Sequence, residues 1–271
     1  MKLVGHSQPW HYLKTALGPV TLLLGPDGVG KWTLAAKAAE QHGYPWQDVL
    51  RSPEAMTALG AQSITEFSQK AGSTPKGRLV LACLDGAAPA AQNALLKLLE
   101  QPPPKVKFIL TASTPPLATV VSRCQVIRCG LLTEQQVEEV LLLTGSDPRT
   151  ARAAAVMSGG SAAQARMLED SAEPALEHVR KALAAASEGK KDRLPPLFRD
   201  GSWTLQHHRL LTHWAAEMLT GRFRMFRPAD APRLSKRHAR YAMLMMTALD
   251  SARPRILDRA VLETIITTDA K

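Results

Sequence analysis

Apolar positions follow two regimes along this chain. Up to about residue 130 they come as short unbroken runs rich in strand formers: Val20–Leu24 (VTLLL), Arg78–Leu84 (RLVLACL), Lys107–Thr111 (KFILT) and Cys124–Arg128 (CQVIR). A run without polar alternation predicts a strand covered on both faces. Between the runs lie stretches of good helix formers at Lys31–Gln41, closed by Gly43, and at Ser63–Lys70, Pro89–Gln101 and Leu117–Ser122. Strands alternating with helices predict a parallel sheet held between helical layers, an α/β fold.

After Gly130 the strand pattern stops. Thr133-Glu-Gln-Gln136 and Ser161-Ala-Ala-Gln164 are capping boxes, and Asp147-Pro148 places an N-cap before a proline at the first helical position. Three short helices are predicted there, the second ending at Gly159-Gly160. From about Pro174 the apolar positions recur at helical spacing in Pro174–Ala186, Trp203–Thr220, Pro232–Leu249 and Pro254–Thr267. The loops of this predicted helical bundle are Gly189–Pro196 and Arg227–Pro232.

Composition narrows the classes. With 271 residues, 45% apolar and 21% charged, the chain has the make-up of an ordinary soluble globular protein. Three cysteines, Cys83, Cys124 and Cys129, are too few and too oddly spaced for a disulfide framework or a four-cysteine zinc module; they read as buried thiols, and no zinc or other metal site is expected. The first ten residues lack the apolar stretch of an export signal and no run is long enough for a bilayer, so an intracellular, membrane-free protein is expected. Net charge is +10, and residues 176–271, with 18 Lys/Arg against 10 Asp/Glu, contribute +8 of it. Arg222, Arg224, Arg227, Arg233, Lys236, Arg237 and Arg240 form a basic cluster suited either to DNA or an acidic neighbour or to a solvated helix face. His207, His208 and His213 lack metal-binding spacing, and Met243, Met245 and Met246 read as packing. Ser122 lacks the turn of a hydrolase nucleophile.

The chemistry concentrates in Gly25-Pro-Asp-Gly28-Val-Gly30-Lys31, directly after one predicted strand and directly before a helix. Glycines let backbone N–H groups converge on phosphate oxygens, and Lys31 adds a point charge for the outer phosphates. The next residue should carry a hydroxyl for magnesium, and here it is Trp32. Thr33 follows, turned by about 100° on the helix. The second strand ends in Asp85-Gly86, so a metal-binding carboxylate is present and the adjoining water-activating carboxylate is not.

Asn93-Ala-Leu-Leu-Lys97-Leu-Leu-Glu-Gln-Pro102-Pro103, Ser122-Arg123-Cys124, Leu3-Val4-Gly5-His6, Phe108–Ser113 and Gly160–Ala165 together resemble the motifs of clamp-loader subunits of the AAA+ class. The resemblance implies an AAA+ parallel-sheet nucleotide-binding module over 1–130, a helical lid over 131–172 and a helical collar for oligomerisation over 173–271. It implies that Val4 and Gly5 border the adenine pocket and that Gly25, Gly28, Gly30, Lys31 and Thr33 hold phosphates. Asp85 would take the metal position and Ser113 the sensor position. Arg123 would be an arginine finger offered in trans, and Lys97 a DNA or subunit contact. The implied ligand is ATP or ADP, with magnesium only alongside nucleotide. The implied partners are other clamp-loader subunits in a hetero-oligomeric ring, a sliding clamp and primer–template DNA, in the cytoplasm of a bacterial cell or of one infected by a phage.

Departures from the family pattern sharpen the expectation. The interval from Asp85 to Asn93 is short by two or three residues, so an ungapped alignment puts Ala82 and Cys83 in the acidic slots instead. Ala163 stands where active subunits carry a lid arginine. The magnesium hydroxyl, the second carboxylate, the lid arginine and the zinc module are all missing while SRC is intact. That combination resembles the delta-prime kind of DNA polymerase III subunit, or a gamma/tau-like one, which donates a finger without firing its own ATP. The alternative is an active AAA+ ATPase, such as a homo-oligomeric loader. A small-molecule P-loop kinase would leave SRC and the collar unexplained.

Overall fold

The computed structural model describes residues 3–44, 48–50, 77–188, 204–236 and 239. The predicted segments at Ser63–Lys70, Gly189–Pro196 and Pro254–Thr267, most of Pro232–Leu249, and the residues Arg237, Arg240, Met243, Met245 and Met246 lie outside these. The chain divides into two compact units, 1–132 and 133–271.

In the first unit, Val20–Leu24 forms β1, Asp48–Leu50 β2, Arg78–Cys83 β3, Val106–Ala112 β4 and Gln125–Arg128 β5. All pair in parallel, in the order β2-β3-β4-β1-β5. Every residue of β1 is buried, as its unbroken apolar run requires. Alternate positions serve opposite faces. Leu22, Val80, Phe108 and Leu110 pack with Leu95, Leu98 and Leu99 of helix α3 (Pro89–Glu100) and with Val120 of α4 (Ala118–Val121). Leu23, Leu79, Leu81 and Ile109 pack with Leu13 of α1 (Ser7–Thr15) and Leu34, Ala35 and Ala38 of α2 (Lys31–His42). Helix α1 and strand β2 carried too little periodic signal to be predicted; β2 is three residues long. The His42 Nε2–H donates to the Leu13 carbonyl at 2.7 Å, tying α2 to α1.

The parallel order sets the geometry of everything functional. Loops after β1, β3 and β4 emerge side by side at the C-terminal rim of the sheet, because β4 lies between β1 and β3. The turn that precedes β5 and the end of α3, which feeds β4, lie at the opposite, N-terminal rim.

The second unit is helical: α5 (Glu134–Leu143), α6 (Pro148–Ser158), α7 (Ala162–Ser187) and α8 (Leu205–Thr220). The Thr133 capping box is present in both directions, and the Asp147 carboxylate accepts from the N–H groups of Arg149 and Thr150. Helix α6 is buried from Ala151 to Ser158, because its alanines let neighbouring helices approach from all sides. One expectation is corrected here. Pro174 does not open a new helix; α7 runs through it, and through the expected boundary at 172/173. Ala165, Ala172, Leu176, Val179 and Leu183 form one continuous buried stripe, and that packing outweighs the backbone bond the proline forgoes.

Candidate functional site

Gly25 leaves β1 at a point of very close backbone approach. A Cβ there would lie 1.8 Å from the Cys129 carbonyl oxygen, so no larger residue fits. Gly30, at φ 95°, turns the chain into α2. Lys31 is only 7% exposed. Its ammonium donates to the carbonyls of Gly25 and Pro26, both at 2.7 Å, and to Ser113 Oγ at 3.1 Å. Ser113, just beyond β4, in turn donates its N–H to Asp85 Oδ1 at 2.6 Å and its hydroxyl to Asp85 Oδ2 at 2.9 Å. The Gly25–Lys31 loop, Ser113 and Asp85 therefore meet in one chain of hydrogen bonds, Lys31 to Ser113 to Asp85.

Between the two alignments left open above, this geometry favours Asp85. Ala82 is buried within β3, whereas Asp85 lies past the strand end and reaches Ser113. Cys83 closes β3 with its thiol 3.7 Å from Asp85 Oδ2. Both carboxylate oxygens are thus engaged by this chain's own donors, and Gly86 offers no second carboxylate. Trp32 is half-buried against the core of α1, α2 and β1, and Thr33 is half-buried one position further along α2.

Val4 and Gly5 are tethered beside the loop by His6, which the sequence offered as part of a motif but without a role. His6 Nε2–H donates to the Val29 carbonyl at 2.8 Å. A lone histidine next to a glycine gives no sequence signal of such a bond.

Arg123 and Lys97 belong to the other rim of the sheet. The Arg123 guanidinium donates through Nη1 to the Thr119 carbonyl at 2.9 Å and to Ser122 Oγ at 3.4 Å, and through Nη2 to Glu100 Oε1 at 3.4 Å. Lys97 is exposed on α3, one turn before Glu100. From Arg123 to Cys129, which abuts Gly25, the chain advances six residues along β5, about 15–20 Å at strand spacing. Arg123 cannot reach its own phosphate loop across that span.

The expectation of buried thiols holds fully for Cys129 alone; Cys83 and Cys124 are half-buried because both sit at sheet rims. Burial pushes Cys129 up to about 11, with the Lys31 charge pulling the other way, and burial likewise pushes Cys124 up to about 11. Among the described residues no group of three or more His, Cys, Asp and Glu could hold a metal, and no helix is long and apolar enough to cross a membrane.

The histidines and part of the basic cluster have structural partners in the second unit. His213 lies between Glu134 (Nδ1 to Oε2, 3.1 Å) and Glu217 (Nε2 to Oε1, 3.4 Å). Arg152, 5% exposed, meets Glu138 at 3.1 Å and His213 Nε2 at 2.7 Å. Arg224 is paired with Glu138 at 3.1 Å, so this member of the cluster does not belong to a purely solvated face. His207 stacks on His178 with ring centroids 5.7 Å apart, and burial, together with the His178 charge, lowers it to about 4.

Residues 54–133 match the family model described as "DNA polymerase III, delta subunit". The matched segment takes in β3, α3, β4, α4 and β5 of the first unit. No curated protein sequence matches the chain. Among solved structures, the Thermotoga maritima RuvB Holliday junction branch migration motor is similar at 16% identity with a TM-score of 0.44, over 91% of this chain and 78% of its own. A structure describing katanin self-assembly is similar at 16% identity with a TM-score of 0.47, over 65% of this chain and 70% of its own.

Proposed function

We propose that this chain is a non-hydrolysing subunit of a replication clamp loader, of the delta-prime kind, that helps place a sliding clamp on primer–template DNA. In this reading it donates Arg123 to the nucleotide site of an adjoining ATPase subunit. The single observation that carries the reading is the placement of the two loci: a phosphate loop closed on itself at one rim of the sheet, and SRC at the other. A guanidinium supplied from outside neutralises charge on the transferring phosphoryl group, so a neighbour's hydrolysis depends on assembly.

The same observation bears against an independently active ATPase. Trp32 cannot ligate magnesium, Gly86 cannot activate water, and both Asp85 oxygens are committed to Ser113. Any ATP or ADP bound here would meet Gly25, Gly28, Gly30 and Lys31, with Val4 and Gly5 at its base, and would serve as a structural ligand; magnesium would enter only with it. Other clamp-loader chains and the clamp are the partners, with Lys97 and the basic cluster as candidate contacts to DNA or subunits, in the bacterial cytoplasm.

The test is turnover by the purified chain alone and after reconstitution with its co-purifying companions, clamp and primed DNA. The chain alone is expected to be inactive, and Arg123→Ala to remove the adjoining site's share of the assembled activity. Rapid magnesium-dependent ATP hydrolysis by the isolated chain, lost in Lys31→Ala, would favour the self-sufficient ATPase.

A further inference from the structure

Arg123 is not a free side chain at the surface, and the way it is held identifies a second residue. Its guanidinium has five N–H donors in a fixed plane. Both of the Nη1 hydrogens are directed to acceptors on the turn that carries the arginine, the Thr119 carbonyl and the Ser122 hydroxyl. Nε is buried with no acceptor. Among the described residues Nη2 makes the one contact outside that turn, meeting Oε1 of Glu100, the last residue of α3, at 3.4 Å. Glu100 therefore ties the arginine to a different element from the one it grows from.

We infer that Glu100 is a positioning residue for Arg123. Resting on the reading of Arg123 as a finger offered in trans, the inference adds that the carboxylate at the end of α3 fixes the guanidinium plane before a neighbour docks. Glu100 takes one Nη2 N–H and leaves the second for an incoming phosphate oxygen. The flexible arginine then need not be ordered at the moment of docking, which lowers the barrier of the neighbour's reaction without changing its ground-state hold on nucleotide. Glu100 is 60% exposed and Arg123 31%, so the pair is a modest one in water. Its removal is expected to cost the Arg123-dependent turnover about three- to five-fold, not to abolish it.

The experiment measures kcat and KM for ATP in the reconstituted assembly, stimulated by clamp and primed DNA, with Glu100→Ala, Glu100→Gln, Arg123→Ala and the double Glu100→Ala/Arg123→Ala chains. Glu100→Ala is expected to lower kcat by about three- to five-fold at unchanged KM. Glu100→Gln, whose amide oxygen still accepts the hydrogen bond, is expected to retain most of the activity. The double variant is expected to be no slower than Arg123→Ala. Since Glu100 is mostly exposed, the melting temperature of the Glu100 variants should stay within a degree or two of the parent's. If Arg123→Ala slows the assembly and Glu100→Ala does not, or if the two losses add, the positioning role is overturned while the finger reading stands. A rise in KM at constant kcat overturns it in the same way. If Arg123→Ala itself has no effect, the finger reading fails and the positioning role goes with it.

Discussion

Lys31 is the residue whose sequence meaning and structural situation diverge most. By position it should meet phosphate; in the structure its charge is enclosed by two carbonyls of its own loop and a serine hydroxyl backed by Asp85. The ammonium therefore ties the loop to itself and to the end of β4. Replacing it by methionine keeps the volume but leaves those carbonyls without a donor. Lys31→Met is expected to lower unfolding free energy by about 1–3 kcal/mol in urea titration, with no nucleotide present. An unchanged midpoint would mean that the loop does not depend on this contact. Trp32 makes the complementary case: restoring the missing hydroxyl with Trp32→Ser should not create ATPase activity, because Gly86 still lacks a carboxylate. It should cost about 1–2 kcal/mol of apolar burial, read from the same titration.

Among the elements, α5, α6 and α8 are joined by charge as well as by packing. Glu217, 4% exposed, accepts the N–H groups of Arg224 and Met225, each at 3.0 Å, and faces His213. Truncating it would take a carboxylate from His213 and strand two backbone donors, and Glu217→Ala is expected to destabilise the protein by about 3 kcal/mol or more. The histidine makes this cluster pH-dependent. Burial opposes its charge, yet hydrogen bonds to Glu134 and Glu217 outweigh burial and hold His213 above its ordinary value of 6.5. That contribution is complete below pH 6.5 and is lost as pH rises through the elevated value. Glu134, held below its ordinary 4.5 chiefly by its hydrogen bond to His213, contributes above 4.5 and stops contributing as pH falls through the lowered value. Urea midpoints measured across pH should decline on both sides, and His213→Gln should remove the alkaline-side decline.

At the scale of the whole molecule, the uneven charge gives a discriminating measurement. If the basic cluster contacts DNA, Arg222→Ala, Arg227→Ala and Arg233→Ala should each reduce the slope of log affinity against log salt by up to about 0.9 for a duplex phosphate contact. Arg224→Ala should leave that slope alone and lower stability instead, because its partner is Glu138. Slopes unaffected by all of them would assign the cluster to solvent. The α/β half was legible from sequence because unbroken apolar runs and a phosphate loop are local signals, readable without knowing what packs on them. Pro174 misled for the same reason: a local breaker signal is outweighed by a stripe of five buried side chains spread from 165 to 183 that only the folded unit brings together. The Glu134, Glu138, Arg152, His213, Glu217 and Arg224 cluster was invisible because its bonded pairs lie up to 86 residues apart and none has a diagnostic spacing. At the candidate site, Gly25, Lys31 and Ser113 were found from motif order and Asp85 as one of two alignments, whereas the His6 tether and the Glu100 tie to Arg123 depend on three-dimensional approach.

The first glycine of the loop carries a wider lesson. With the Cys129 carbonyl pressed against it, position 25 admits no side chain whether or not an anion ever visits. A lineage that abandons nucleotide altogether would still be compelled to keep this letter of the motif, since the residue just past β5 enforces it from behind. Such a fingerprint reports architecture before it reports ligand, so a glycine at position 25 is not by itself a sign of nucleotide.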